Sequence, residues 1–436
     1  MEKQINKNGM TAEEKFARSL KLANRGNAEE EFYVGLAYMC GSGVEENEKE
    51  AIKWYRKAAE HGNADAQVLL GCTYEEGVGV EENIEEAIKW YRKAAEQGNA
   101  DGQYYLGSCY EEGKGVEKNL EKAIELYCKS VEQGNDDAQY CLGCCYEKGK
   151  GVEKNLEEAV ELYFKSAEQD NDEAQYRLGS CYEEGKGVEK NLEEAVKWYR
   201  KAAEQDNDDA QYCLGNMFML GDGVEENEEE AVKWYRKAAE QGNANAQYNL
   251  GTAYYRGDGV TENYEEAFRW YKKAADQGLP EAQFHVGCCF YEGKGVEENI
   301  EESIRWNRKA AEQGMPEAQY ELGCSYYLGE GVVEDDEIAV FWWKRAAEQG
   351  DDDSINSLGQ CYEGGVGVEK DEKEAIRLYR LAAEQDNSRA LYNLGEAYMK
   401  GIGVKKNLKE AVKWYKLAAE QGNEDAIEAL EAMKGV

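Results

Sequence analysis

One recurring glycine constrains the architecture before any other residue is considered. Preceded each time by leucine or valine, it stands at Gly35, Gly71, Gly107, Gly143, Gly179, Gly215, Gly251, Gly287, Gly323, Gly359 and Gly395, spaced by 36 residues with no insertion. A strict period of this length marks a solenoid, in which each copy buries its apolar face by stacking on its neighbours. The segment Asn171–Asp206, NDEAQYRLGSCYEEGKGVEKNLEEAVKWYRKAAEQD, shows the unit. Ala174, Leu178, Cys181 and Tyr182 recur at helical spacing and predict a first helix, A; Ala195, Trp198, Tyr199, Ala202 and Ala203 predict a second, B, over Leu192–Gln205. Between them Gly185 and Gly187 interrupt the helix and suit a positive φ, and Val188, a valine in all eleven copies, is expected to plug the loop into the core.

The punctuation agrees. Asn191 followed by Glu194 has the spacing of a capping box, and an Asn or Asp to Glu pairing of this kind occurs in nine of eleven copies, which makes it a feature of the unit. Gly-Asn, as at Gly242-Asn243, fits a helix stop followed at once by a new N-cap. The only two prolines, Pro280 and Pro316, fall at the first helical position, where proline is tolerated.

The pattern A-x-x-x-L-G-x-x-Y-x-x-G-x-G-V-x-x-N-x-x-x-A-x-x-W-Y-x-K-A-A-E-Q-G resembles the Sel-one-like repeat, a relative of the tetratricopeptide repeat with a longer loop between its helices. The resemblance implies an all-α fold, a right-handed α/α superhelical solenoid with helices A on its concave side. It also implies a protein-interaction scaffold or adaptor with no catalytic residue. Family members in membrane protein quality control make a regulatory subunit of a ubiquitin-ligase complex the alternative. The expected organisation is a disordered stretch over residues 1–10, a capping helix over 11–27, eleven repeats over 28–422 and a C-terminal capping helix over 423–436. The copy at Gly323, with Val333, Asp335-Asp336 and Phe341-Trp342-Trp343, departs most from the pattern and predicts a local irregularity in the superhelix.

A formal charge of −38 repels phosphate backbones and anionic membrane surfaces and steers basic partners inward, so nucleic acid is not an expected partner. No run approaches the roughly 18 apolar residues of a membrane span, and the segment MEKQINKNGM lacks a signal-peptide core, so a soluble, cytoplasmic protein is expected. Ten of the thirteen cysteines lie one to five residues after the repeat glycine, mostly where other copies carry Ala, Ser or Thr. They read as small buried residues in a reducing compartment. With two histidines and no nucleophile beside an evident base, no enzymatic activity is expected.

Binding candidates lie on the side of helix A opposite its core stripe. Three residues before the glycine runs an aromatic row, Tyr104, Tyr140, Tyr176, Tyr212, Tyr248, Phe284, Tyr320 and Tyr392; six before it runs an acidic row that includes Asp101, Asp137, Glu173 and Asp209. Acids four residues after it, such as Glu183, fall on the same side. Rings that stack on Arg or Lys, flanked by carboxylates, suit a basic extended protein segment. The blander alternative is packing between helices for the rings and a dipole-favoured helix start for the acids. Two residues before the glycine the residue varies most, and Arg177 is its one cation between Tyr105 and Asn393. No cofactor or metal is expected. His285, Cys288, Glu321 and Cys324 offer zinc-type ligands at matching positions of two copies, but helix axes about 10 Å apart oppose their convergence.

Overall fold

The computed structural model describes residues 10–434. Among them the chain forms twenty-four α-helices and no strand: a capping helix Ala12–Ala23, eleven helix A–helix B pairs, and a last helix Glu424–Lys434. The expected disorder over residues 1–10 and the final residues 435–436 lie, apart from Met10, outside the described residues. The chain divides into two compact units at Glu225–Glu226. The first holds the capping helix, the pairs of the Gly35 to Gly179 copies, and helix A of the Gly215 copy, Asp208–Leu220. The second begins with helix B of that copy, Glu228–Gln241, and holds the pairs of the Gly251 to Gly395 copies and the last helix.

The Gly179 copy consists of helix A, Asp172–Glu184, and helix B, Leu192–Glu204. Glycine inside a helix costs about 1 kcal/mol relative to alanine, so its recurrence needs a reason. Tyr199 of helix B supplies it. The tyrosine is wholly buried and lies so close to helix A that a Cβ on Gly179 would meet its Cδ1 at 2.7 Å. Tyr91 lies in the same way over Gly71, Tyr163 over Gly143, Tyr271 over Gly251 and Tyr379 over Gly359. The Tyr199 hydroxyl donates to Glu183 at 2.6 Å, so the one polar atom of the buried ring is satisfied. Trp198, one residue earlier, closes a cluster with Ala159, Tyr163 and Ala167 of the preceding helix B and with Ala174, Leu178 and Cys181 of its own helix A.

A polar residue is as deeply placed as any of these. Gln175 has no exposed surface; its Nε2 donates to the Ala167 carbonyl at 3.1 Å, and its Oε1 accepts from Gln205 Nε2 at 2.9 Å. The pair recurs as Gln67–Gln97, Gln103–Gln133, Gln139–Gln169, Gln247–Gln277, Gln283–Gln313 and Gln319–Gln349, at 2.7–3.0 Å. Ile355 and Leu391 replace its first member in the two copies that follow, and both are buried. A buried amide left without partners costs roughly 1–3 kcal/mol, so these pairs tie helix A to the end of helix B within a copy, while the bond from Gln175 to Ala167 fixes that copy's register on the one before.

The caps differ from expectation in one respect. Asn191 Oδ1 does accept from the Glu194 amide at 3.1 Å, but the Asn191 N–H donates to the Tyr182 carbonyl at 2.8 Å, so nothing is left for Glu194 to bond in return. Glu194 instead pairs with Lys197 at 2.6 Å. A full reciprocal box forms at Thr11 and Glu14, where no preceding helix A competes. Gly185 and Gly187 take φ of +72° and +69°, and Val188 packs against the cluster around Leu178. Pro280 and Pro316 do open their helices, after Leu279 and Met315, which provide no side-chain cap. The helices of the Gly323 copy, Pro316–Leu328 and Asp336–Ala347, keep the lengths of the others, and Trp343 takes the tyrosine's place over the glycine.

All thirteen cysteines are free thiols. Cys109, Cys145, Cys181, Cys289 and Cys361 are buried at small-residue positions, whereas Cys40, which caps the end of its helix, is exposed. Thermal unfolding of the protein is therefore expected to be the same with and without reductant; a large fall of the midpoint on reduction would show a cross-link.

Candidate partner-binding face

Tyr104, Tyr140, Tyr176 and Tyr212 sit on successive A helices of the first unit, and Tyr248, Phe284 and Tyr320 on successive A helices of the second. All seven are half-buried. For four of them the buried part is explained by the helix B tyrosine of the same copy: ring centroids are 6.3 Å apart for Tyr104–Tyr127, 6.0 Å for Tyr140–Tyr163, 5.9 Å for Tyr176–Tyr199 and 5.6 Å for Tyr248–Tyr271. These four rings are thus held in place by packing while part of each remains open to solvent. Burial pushes the phenol of Tyr176 up to about 12 and those of Tyr104 and Tyr140 higher still, so all three are neutral faces at physiological pH.

The acidic row is structurally committed through one oxygen. Asp101 accepts from Asn135 Nδ2 at 2.8 Å, Asp137 from Asn171 at 3.1 Å and Glu173 from Asn207 at 3.4 Å. Each of these asparagines also caps its own helix through Oδ1, so one side chain starts a helix and ties it to the copy before. Asp101, Glu173 and Asp209 are exposed and Asp137 is half-buried. Burial, followed by the charges of Asp136 and Asp101, raises the carboxyl of Asp137 above its usual range, and burial does the same to Glu173. Both carboxylates therefore favour an incoming cation. Acids four residues after the glycine face inward instead: Glu75, Glu111, Glu147, Glu183 and Glu363 accept from the helix B tyrosines at 2.6–2.9 Å.

Arg177 lies across the row in the first unit, its guanidinium carbon 5.7 Å from the Tyr176 ring centroid and its buried Nε without a hydrogen-bond partner. Tyr140 donates to Glu173 at 3.5 Å beside it. At the other end of the row Tyr105 stacks on Tyr91 with centroids 5.0 Å apart, and Tyr104 and Tyr105 line a cavity of about 320 Å³ with Cys72, Glu75, Glu112 and Lys114. Reading by helix faces misses Tyr91, whose contribution depends on how deeply helix B inserts.

The four zinc-type residues do not converge. His285 is enclosed by the rings of Tyr248 and Tyr271, 5.3 and 5.1 Å away, and its Nδ1 is 2.9 Å from the Glu281 carbonyl. Burial pushes its pKa down. Burial pushes the thiols of Cys288 and Cys324 up to about 12 and about 11, which opposes the thiolate a metal needs. Among the described residues no group of three or more His, Cys, Asp or Glu is placed to hold a metal ion, and no helix is long and apolar enough to cross a membrane.

The Sel1 repeat profile matches the chain at residues 31–63 and 64–99 and then in unbroken succession to 388–423, eleven matches in all. The crystal structure of c5321, a protective antigen present in uropathogenic Escherichia coli strains and displaying an SLR fold, is 34% identical; the match covers 94% of this chain and 88% of that one, with a TM-score of 0.82. A Sel1 repeat protein from Oxalobacter formigenes is also 34% identical, over 70% of this chain and 88% of its own, with a TM-score of 0.56. No curated protein matches the chain significantly. Repeats that follow one another without a gap from residue 31 to residue 423, each with its glycine in helix A and a tyrosine, tryptophan or, once, asparagine at the matching position of helix B, show that the chain belongs to the Sel1 repeat family of all-α solenoids.

Proposed function

We propose that the chain is a non-catalytic scaffold that holds an extended, basic protein segment along the exposed side of its A helices. Sel1 repeat solenoids are generally binding scaffolds without catalytic residues. The observation that carries the finer reading is the row of half-open tyrosines braced from behind and flanked by carboxylates raised by burial, on a chain of formal charge −38. Rings held by packing lose little freedom when a guanidinium or ammonium stacks on them. The buried thiols at small-residue positions support a reducing, cytoplasmic setting.

The test uses a fluorescent peptide of alternating lysine and alanine, with its glutamate counterpart as control. The lysine peptide is expected to bind and the glutamate peptide not. Replacing Tyr104, Tyr140 and Tyr176 together by alanine should speed dissociation about tenfold or more, as loss of central aromatic anchors does. Asp137→Asn with Asp209→Asn should instead slow association and flatten its salt dependence. Since Asp137 and Glu173 hold protons at higher pH than ordinary carboxylates, binding should begin to weaken above the usual carboxylate range as pH falls. A tyrosine variant that melts much earlier, yet binds unchanged per folded molecule, would assign the rings to packing alone.

A further inference from the structure

The tyrosine over the repeat glycine is present in nine copies and replaced by Trp343 in one; in the remaining copy the position is Asn307. A cavity lies beside it. In the Gly143 copy Tyr163 fills the corresponding space, its hydroxyl 3.4 Å from Cys144 Sγ and 2.8 Å from Glu147. In the Gly287 copy a cavity of about 310 Å³ stands there, lined by Cys288, Ile300, Ile304 and Asn307 and by Glu321, Cys324 and Leu328 of the next helix A. Asn307 is 8% exposed, and its Oδ1, lying over Gly287, has no hydrogen-bond partner. A cavity of about 320 Å³ also stands at the matching positions Cys72, Tyr91 and Tyr105, so what Asn307 adds is not the space but a buried carboxamide without a partner, which costs stability that a packed tyrosine would not.

The lining is selective. Glu292, Glu321 and Glu330 bring three carboxylates, no lysine or arginine lines the cavity, and Ile300, Ile304 and Leu328 provide aliphatic wall. Glu292 is neutralised by Lys294 at 2.7 Å. Glu321 lies in the variable row two residues before its glycine, so the cavity opens on the same helix A side as the tyrosines of the second unit. We infer that this cavity is an anchor pocket for one lysine or arginine side chain of the basic segment, its stem against Ile304 and Leu328 and its charged head between Glu321 and the Asn307 carboxamide. The soft terminal torsion of asparagine lets Oδ1 turn from Gly287 toward an incoming N–H donor. Burial, and after it the charge of Asp353, raises the Glu321 carboxyl above its usual range, a penalty that a bound cation relieves.

This inference rests on the reading of the partner as basic, and the experiment separates the two. Acetyl-lysine methylamide and acetyl-arginine methylamide are titrated into the full chain while the methyl signals of Ile300 and Ile304, which line the cavity and persist in every variant, are followed by NMR, with acetyl-norleucine methylamide as uncharged control. A saturable shift with a cationic probe and none with norleucine is expected; N307Y should abolish it, and E321Q should weaken it about threefold, as for a partly exposed charge pair. N307Y restores the residue of nine other copies, and an unchanged or higher melting temperature confirms that the variant is folded. No saturable shift, an equal shift with norleucine, or a shift that survives N307Y would overturn the pocket. The lysine–alanine peptide supplies the second arm. Equal affinity for the wild-type chain and N307Y overturns the pocket and leaves the tyrosine face standing, whereas a saturating probe with no peptide binding supports the pocket and removes the face.

Discussion

Trp198→Ala is expected to cost about 3–5 kcal/mol, the range for removing a large buried aromatic ring, and to break the cooperativity of the first unit as well as lower its stability. Trp198 touches the preceding helix B through Ala159, Tyr163 and Ala167 and its own helix A through Ala174, Leu178 and Cys181, so its loss empties a joint between copies. In a repeat array stability is close to a sum of intrinsic terms and nearest-neighbour interfaces, and weakening one interface lets the two sides unfold separately. Urea unfolding followed by circular dichroism should therefore become biphasic or lose slope, and hydrogen exchange should accelerate first in Leu156–Ala167 and Asp172–Glu184. A single transition of unchanged slope, shifted by less than about 1 kcal/mol as for an ordinary surface change, would show that Trp198 is not the joint.

The same substitution made at two repeat glycines should give opposite outcomes. Gly179→Ala is expected to destabilise by about 1–3 kcal/mol, the cost of overpacking, despite the gain of about 1 kcal/mol that alanine brings to a helix interior. The new Cβ would meet Tyr199 at 2.7 and 2.8 Å, and that ring is fixed by its buried surroundings and by Glu183. Gly287→Ala meets the end of Asn307, a small side chain beside an open cavity, and should be neutral within about 1 kcal/mol. Thermal and urea unfolding of both variants decide the matter. Equal losses would mean that the ring is not what excludes a side chain from the glycine column.

The helices and their bounds are legible because apolar residues recur at helical spacing and the loops carry glycine pairs, as at Gly185 and Gly187. The reason for Gly179 is not legible, since it lies in the depth to which Tyr199 of another helix inserts. Gln175 escapes for a related reason: a glutamine reads as surface unless its two partners, Ala167 and Gln205, are placed around it. Within the candidate face a helical wheel gives direction but not depth. It puts Tyr140 and Glu183 on one side, yet Tyr140 is half-open and Glu183 is bonded to Tyr199. Asn307 is visible as the one small polar residue in a column of large rings, but its meaning appears only with the void beside it.

The doubly used asparagines make the chain divisible only at particular seams. Asn171 caps its helix at the Ala174 amide and reaches back to Asp137; Asn135 does the same one copy earlier, with Ala138 and Asp101. Excising residues 136–171 would join Asn135 to Asp172 and present its Oδ1 to Ala174, while its Nδ2 kept Asp101 and Gln133 kept Gln103. No donor or acceptor changes type at such a splice. Removing a single residue would strand a cap, a carboxylate and a buried amide together. Length in this molecule is therefore a quantised property, free to grow or shrink in whole copies and closed to anything between.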